Sequence, residues 1–140
     1  MSKSNNQSMD TFISEWQTDL NAIKNDFLSL KTNLENKSNI IIEFNARPGV
    51  SYSLRAAHKS QQKRVLFVMV DVIDDDPENR WLSVCFYGEM ISDPEEKGDL
   101  IPGGLLGEDG YCFDHETGSE SDILYIQQRI DEAYLAAEKE

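Results

Sequence analysis

The residues best placed to do chemistry are Cys112 and His115, in the run Cys112-Phe113-Asp114-His115, together with the second cysteine, Cys85. A thiol and an imidazole three residues apart suggest two reactions. Zinc could take Cys85, Cys112 and His115, with Asp114 or His58 as fourth ligand. Structural zinc sites, however, normally rest on paired ligands of the CxxC or HxxxH kind, and here one incomplete pair stands alone. Alternatively, Cys112 could act as a nucleophile with His115 as its base and Asp114 or Glu116 orienting the ring. Side chains three apart on a strand point to opposite faces, so that dyad needs a turn after Phe113. Acidic neighbours such as Asp109, Asp114 and Glu116 also disfavour a thiolate. A disulfide between the two cysteines is a third fate for the sulfurs; a partly buried Cys112 beside Phe113 is the reading preferred.

Other patterns fall short of a site. Asp74, Asp76 and Glu78 alternate in an acidic run, but an EF-hand loop wants glycine at its sixth place, where Asn79 stands, and glutamate at its twelfth, held by Cys85. The glycine-rich stretch Pro102–Gly110 lacks the Gly-Lys-Ser/Thr of a phosphate loop and carries Gly107-Glu108-Asp109 instead, whose carboxylates repel phosphate. No HExxH or Ser-His-Asp signature is present. Neither a cofactor nor a metal is expected, and no residue is assigned a catalytic role.

The elements that must position these residues follow from hydrophobic spacing. Ile13, Trp16, Leu20, Ile23, Phe27, Leu30 and Leu34 recur at alternating intervals of three and four, uninterrupted by glycine or proline. That stripe predicts one long amphipathic helix from about Asp10 to Asn36 behind a disordered polar leader over residues 1–9. The helix either lies across its own sheet or, through Trp16, Leu20, Ile23, Phe27 and Leu30, packs on a second subunit. Four strands are expected next: Ile40 to Ala46, Val50 to Ala56, an apolar central strand from Arg64 to Ile73, and Arg80 to Ile91. Arg47-Pro48-Gly49 supplies a type II turn between the first two. Short connections make these strands an antiparallel meander. The segment from Ser92 to Gly118 holds six of the eight glycines. It reads as a long crossing connection anchored by Leu100, Ile101, Leu105 and Leu106, with Tyr111–Phe113 as an edge strand. Ser119 caps a C-terminal helix whose first turn is acidic. The fold class is therefore α+β, a single domain over residues 10–140.

Charge narrows the partners. The 140 residues carry 26 acidic and 13 basic side chains, a net charge of −13. Residues 1–70 hold nine basic and six acidic residues, residues 71–140 four basic and twenty acidic. Nucleic acid and anionic membrane are excluded as general partners, because phosphate binding needs clustered lysine and arginine. Arg55, Lys59, Lys63 and Arg64 gather near one turn, a weak seat for an anion. With no secretory signal and no span of membrane length, a reducing cytoplasm is the expected location.

Taken together, these features point to a non-catalytic protein-binding domain of adaptor or chaperone type, a homodimer, with a basic protein as a further partner. In size, acidity and helix–sheet–helix layout the chain is similar to small bacterial secretion chaperones, with no motif shared. The rival reading is a small enzyme or ligand-binding protein whose site lies under the 92–118 segment, lined by Tyr111, Cys112, Asp114, His115 and Cys85.

Overall fold

Period-two alternation of apolar residues lets a strand bury one face and wet the other, and six strands form a single antiparallel sheet here. The structure, a computed structural model, describes residues 2–140, with side chains from Met9 onward. The elements are α1 (Ser2–Glu15), α2 (Lys24–Glu35), β1 (Ile40–Arg47), β2 (Ser51–His58), β3 (Val68–Ile73), β4 (Trp81–Tyr87), a 3₁₀ turn (Gly88–Met90), β5 (Asp99–Leu105), β6 (Glu108–His115) and α3 (Glu120–Glu138). The strand order is β1-β2-β3-β4-β6-β5. The expected β1–β4 meander is therefore present, with its type II turn: Gly49 has φ +83° and the Val50 N–H donates to the Arg47 carbonyl.

All three helices pack on one side of the sheet. Phe12 of α1 stacks on Tyr52 and lies beside Phe44. His115 reaches Asp26 of α2, and Phe113 meets Tyr125 of α3. These strand residues share one face with Leu54, Val70 and Val84, which the register aligns across the sheet and which are fully buried. Each such side chain contributes about 1.5–3 kcal/mol by leaving water.

The N-terminal region departs from the expected single helix. The chain breaks between Glu15 and Lys24, where Ala22 takes a φ of +58° that no helix accommodates. Tertiary hydrogen bonds make the break worthwhile. The Asp19 carboxylate accepts from the Ile23 and Lys24 N–H groups, capping α2. The Asn21 amide donates to the Arg80 carbonyl and the Gly118 N–H donates to the Asn21 carbonyl. Trp16, Ile23, Phe27 and Leu30 are buried in the chain's own core, and Leu20 alone of the five points outward, 67% exposed. The stripe is thus spent inside the subunit, which corrects its assignment as a contact with a second one. Helix α1 begins at Ser2 and takes in most of the stretch expected as a leader; the side chains of residues 1–8 lie outside the described residues.

The 92–118 segment is not one long connection. It holds the β5–β6 hairpin, which raises the strand count to six, with β6 against β4 and β5 at the edge. Leu106 and Gly107 close it at φ +50° and +87°, the two left-handed residues of a type I′ turn. Of the expected anchors only Leu105 is buried; Leu100, Ile101 and Leu106 are exposed.

Candidate functional site

Asp93 fastens the approach to β5. Its carboxylate accepts hydrogen bonds from the Lys97 and Gly98 N–H groups, from the Tyr111 hydroxyl at 2.9 Å and from the Tyr125 hydroxyl. Burial works to raise its pKa, but these donors outweigh it and hold the group down to about 2. Gly98 has to be glycine for the chain to pass here: a Cβ would stand 2.6 Å from a Tyr111 ring carbon and 2.8 Å from one of Phe113. This network ties β6 and α3 together and is structural in character.

The five residues expected to line one site are divided by the sheet. Strand β6 stays extended to His115, so the turn that a Cys112–His115 dyad requires is missing. Tyr111 and His115 face the helices. Cys112 faces the other side, where it is the register partner of Cys85, and the two sulfurs are joined in a disulfide. That corrects both the free-thiol reading and the nucleophile reading. Among the described residues no group of three or more His, Cys, Asp or Glu is arranged to hold a metal. Buried His115 places Nε2 2.6 Å from Asp26 Oδ2, and the same oxygen accepts from the Ser119 N–H, so this pair joins β6, α2 and the start of α3. Asp114 and His115 border a cavity of about 310 Å³ with Lys97, Asp122 and Tyr125.

A larger cleft, about 640 Å³, lies at the other end of the hairpin between Arg64, Tyr87, Glu89, Leu100, Glu108 and Tyr111. Only Tyr111 of the expected site residues reaches it. Arg64 is no seat for an anion: its guanidinium is paired with Glu89, Glu108 and Glu140 and stacks over Tyr87 at 4.6 Å. Burial favours the neutral arginine, yet these three carboxylates more than compensate and raise its pKa.

The helix-free face of the sheet carries a different constellation. Register aligns Asn45, Ser53, Asp71, Ser83 and Asp114 in one row across five strands. The row on one side contains Arg55, Met69, Cys85, Cys112 and Asp99, the row on the other Arg47, Ser51, Ile73 and Trp81. Asp71 sits at the middle of the polar row. Burial pushes its carboxyl pKa up, with Ser53, Arg55 and Arg47 pulling less strongly the other way. Its Oδ1 is buried without a hydrogen-bond partner among the described residues. Asp114 is raised too, by burial and then by Glu116 and Asp99. Reading β3 as apolar on both faces passes over Asp71; the signal was a lone charge within Val65–Ile73.

Comparison with protein-family models, with curated proteins and with solved structures finds no match for this chain. Among the described residues no helix is long and apolar enough to cross a membrane.

Proposed function

We propose that the chain is a non-catalytic protein-binding domain whose binding surface is the helix-free face of the sheet, and that its partner presents a basic side chain to Asp71. The observation that carries this reading is the Asp71 carboxylate, partly buried, with one oxygen unpartnered and Met69, Ile73 and Trp81 around it on the same face. A carboxylate so placed costs stability unless something pairs with it, and costly groups of this kind concentrate where proteins bind or react. The net charge of −13 favours the approach of a basic partner and makes binding salt-dependent. Cytoplasmic location remains part of the proposal.

Pull-down with the tagged protein at low and high salt tests it. Wild type retains a stoichiometric basic partner at low salt and releases it at high salt, whereas Asp71→Asn and Trp81→Ala each weaken retention at least tenfold. If both variants keep the partner as well as wild type does, this face is not the binding surface. A doubled solution mass that Trp81→Asp abolishes identifies the occupant as a second copy.

The rival ligand-binding reading draws on the cavity bordered by His115, whose ring is oriented by Asp26. Shifts of the His115 resonances on screening small polar ligands would favour it.

A further inference from the structure

We propose that Cys85–Cys112 is a reversible thiol–disulfide exchange site on the open sheet face, opened by small-molecule thiols that attack Cys112, with cationic thiols preferred over anionic ones. This inference is independent of the protein-binding reading.

Access is the first argument. Both cysteines lie on the side of the sheet that no helix covers, and both are partly exposed. A thiol can reach the bond with the fold intact. Dispensability is the second. The two residues face each other across β4 and β6 with Cα atoms 4.1 Å apart. That separation belongs to the non-hydrogen-bonded position of an antiparallel pair, so opening the bond takes no ladder hydrogen bond with it. On the reverse side of the same strands Val84, Phe86 and Phe113 are buried and hold β4 and β6 together.

The surroundings of the two sulfurs differ, and the difference sets direction and selectivity. The Ser83 hydroxyl lies 3.6 Å from Cys85 Sγ and can donate to a thiolate leaving there. Cys112 is flanked by acids instead, Asp99 as its register partner on β5 and Asp114 two residues along the strand. A thiolate at Cys112 is therefore the poorer leaving group. The incoming thiolate attacks Cys112 Sγ; a new S–S bond forms there as the Cys85–Cys112 bond breaks. The electron pair departs on Cys85 Sγ, which takes a proton from water. A second thiolate then attacks the small-molecule sulfur of the mixed disulfide, releasing Cys112 as a thiolate and one molecule of small-molecule disulfide. Two thiols are oxidised and the protein disulfide gains two electrons; the reverse sequence, driven by a small-molecule disulfide, closes the bond. Asp99 and Asp114 repel an attacker in proportion to its negative charge. At equal thiolate concentration the order is cysteamine, then 2-mercaptoethanol, then glutathione.

The test uses the full oxidised chain under native conditions, quenched with an alkylating agent and read by mass. Both cysteines become alkylated while the protein stays folded by circular dichroism. At low salt cysteamine reacts at least tenfold faster than glutathione, and Asp99→Asn with Asp114→Asn narrows that gap. Peptide mapping finds the trapped mixed disulfide on Cys112. A bond that opens only as the protein unfolds overturns the proposal, as do equal rates for the three thiols or a mixed disulfide found on Cys85. Failure of oxidised glutathione to close the bond in the reduced chain also overturns it.

Discussion

Two aspartates on this molecule titrate in opposite senses, and their signs separate a group that serves the fold from one that burdens it. Asp93 is held down from 3.8 to about 2, with burial opposing and the Tyr125, Gly98, Lys97 and Tyr111 donors prevailing. Its contribution to stability is complete above its unfolded value and is lost as pH falls from about 4 to about 2. Asp93→Asn should accordingly cost about 2 kcal/mol at neutral pH, by weakening charge-assisted hydrogen bonds, and should flatten the stability profile across that acid window. Chemical denaturation at several pH values measures both. Asp71 is raised above 3.8, mainly by burial. Its cost is present in full above its folded pKa and vanishes as pH falls below 3.8. Asp71→Asn should stabilise the protein at pH 7, by removing a carboxylate that burial disfavours, while weakening partner retention. A variant more stable and less able to bind is the signature expected of a functional carboxylate.

At the scale of elements, the β5–β6 hairpin shows local sequence overruled by geometry. Leu106 is a poor choice for the first left-handed position of a type I′ turn, where asparagine or glycine is preferred, yet it sits there at φ +50° and 55% exposed. Leu106→Asn should relieve about 1 kcal/mol of backbone cost, read as a higher denaturation midpoint with an unchanged slope. The break before α2 has the reverse character, since its unfavourable Ala22 backbone is repaid by the Asp19 cap and by bonds to Arg80 and Gly118.

For the whole molecule, the decisive feature is that every helix covers one face of the sheet. The aromatic set Phe12, Trp16, Phe27, Phe44 and Tyr52 locks both N-terminal helices to β1 and β2. Phe27→Asp should therefore unfold the chain, because a charge placed at a fully buried position costs several kcal/mol. Sedimentation and circular dichroism together would show loss of structure; a folded monomer produced from a dimer would contradict the intramolecular role given to the stripe. The remaining face, with Arg47 and Arg55 toward one side and Asp99 and Asp114 toward the other, is the one that no helix covers.

Patterning alone determined the α+β class, the β1–β4 meander, the Pro48-Gly49 turn and the Ser119 cap, because each rests on contacts between residues close in the chain. Tertiary structure decided the rest. A three-four stripe is satisfied equally by one straight helix or by two helices folded back on a core, and the distant carbonyls of Glu78 and Arg80 and the amide of Gly118, with the Asp19 cap, select the break at residues 16–23. The exposed apolar residues of β5 carry no alternation that would mark a strand; its pairing with β6 does. The candidate site was least legible. Cys112 and His115 are three residues apart in sequence yet lie on opposite faces, while Cys85 and Cys112, 27 residues apart, are bonded. Strand register alone sets which side chains meet, and a row such as Asn45, Ser53, Asp71, Ser83 and Asp114 exists only once five strands are laid side by side.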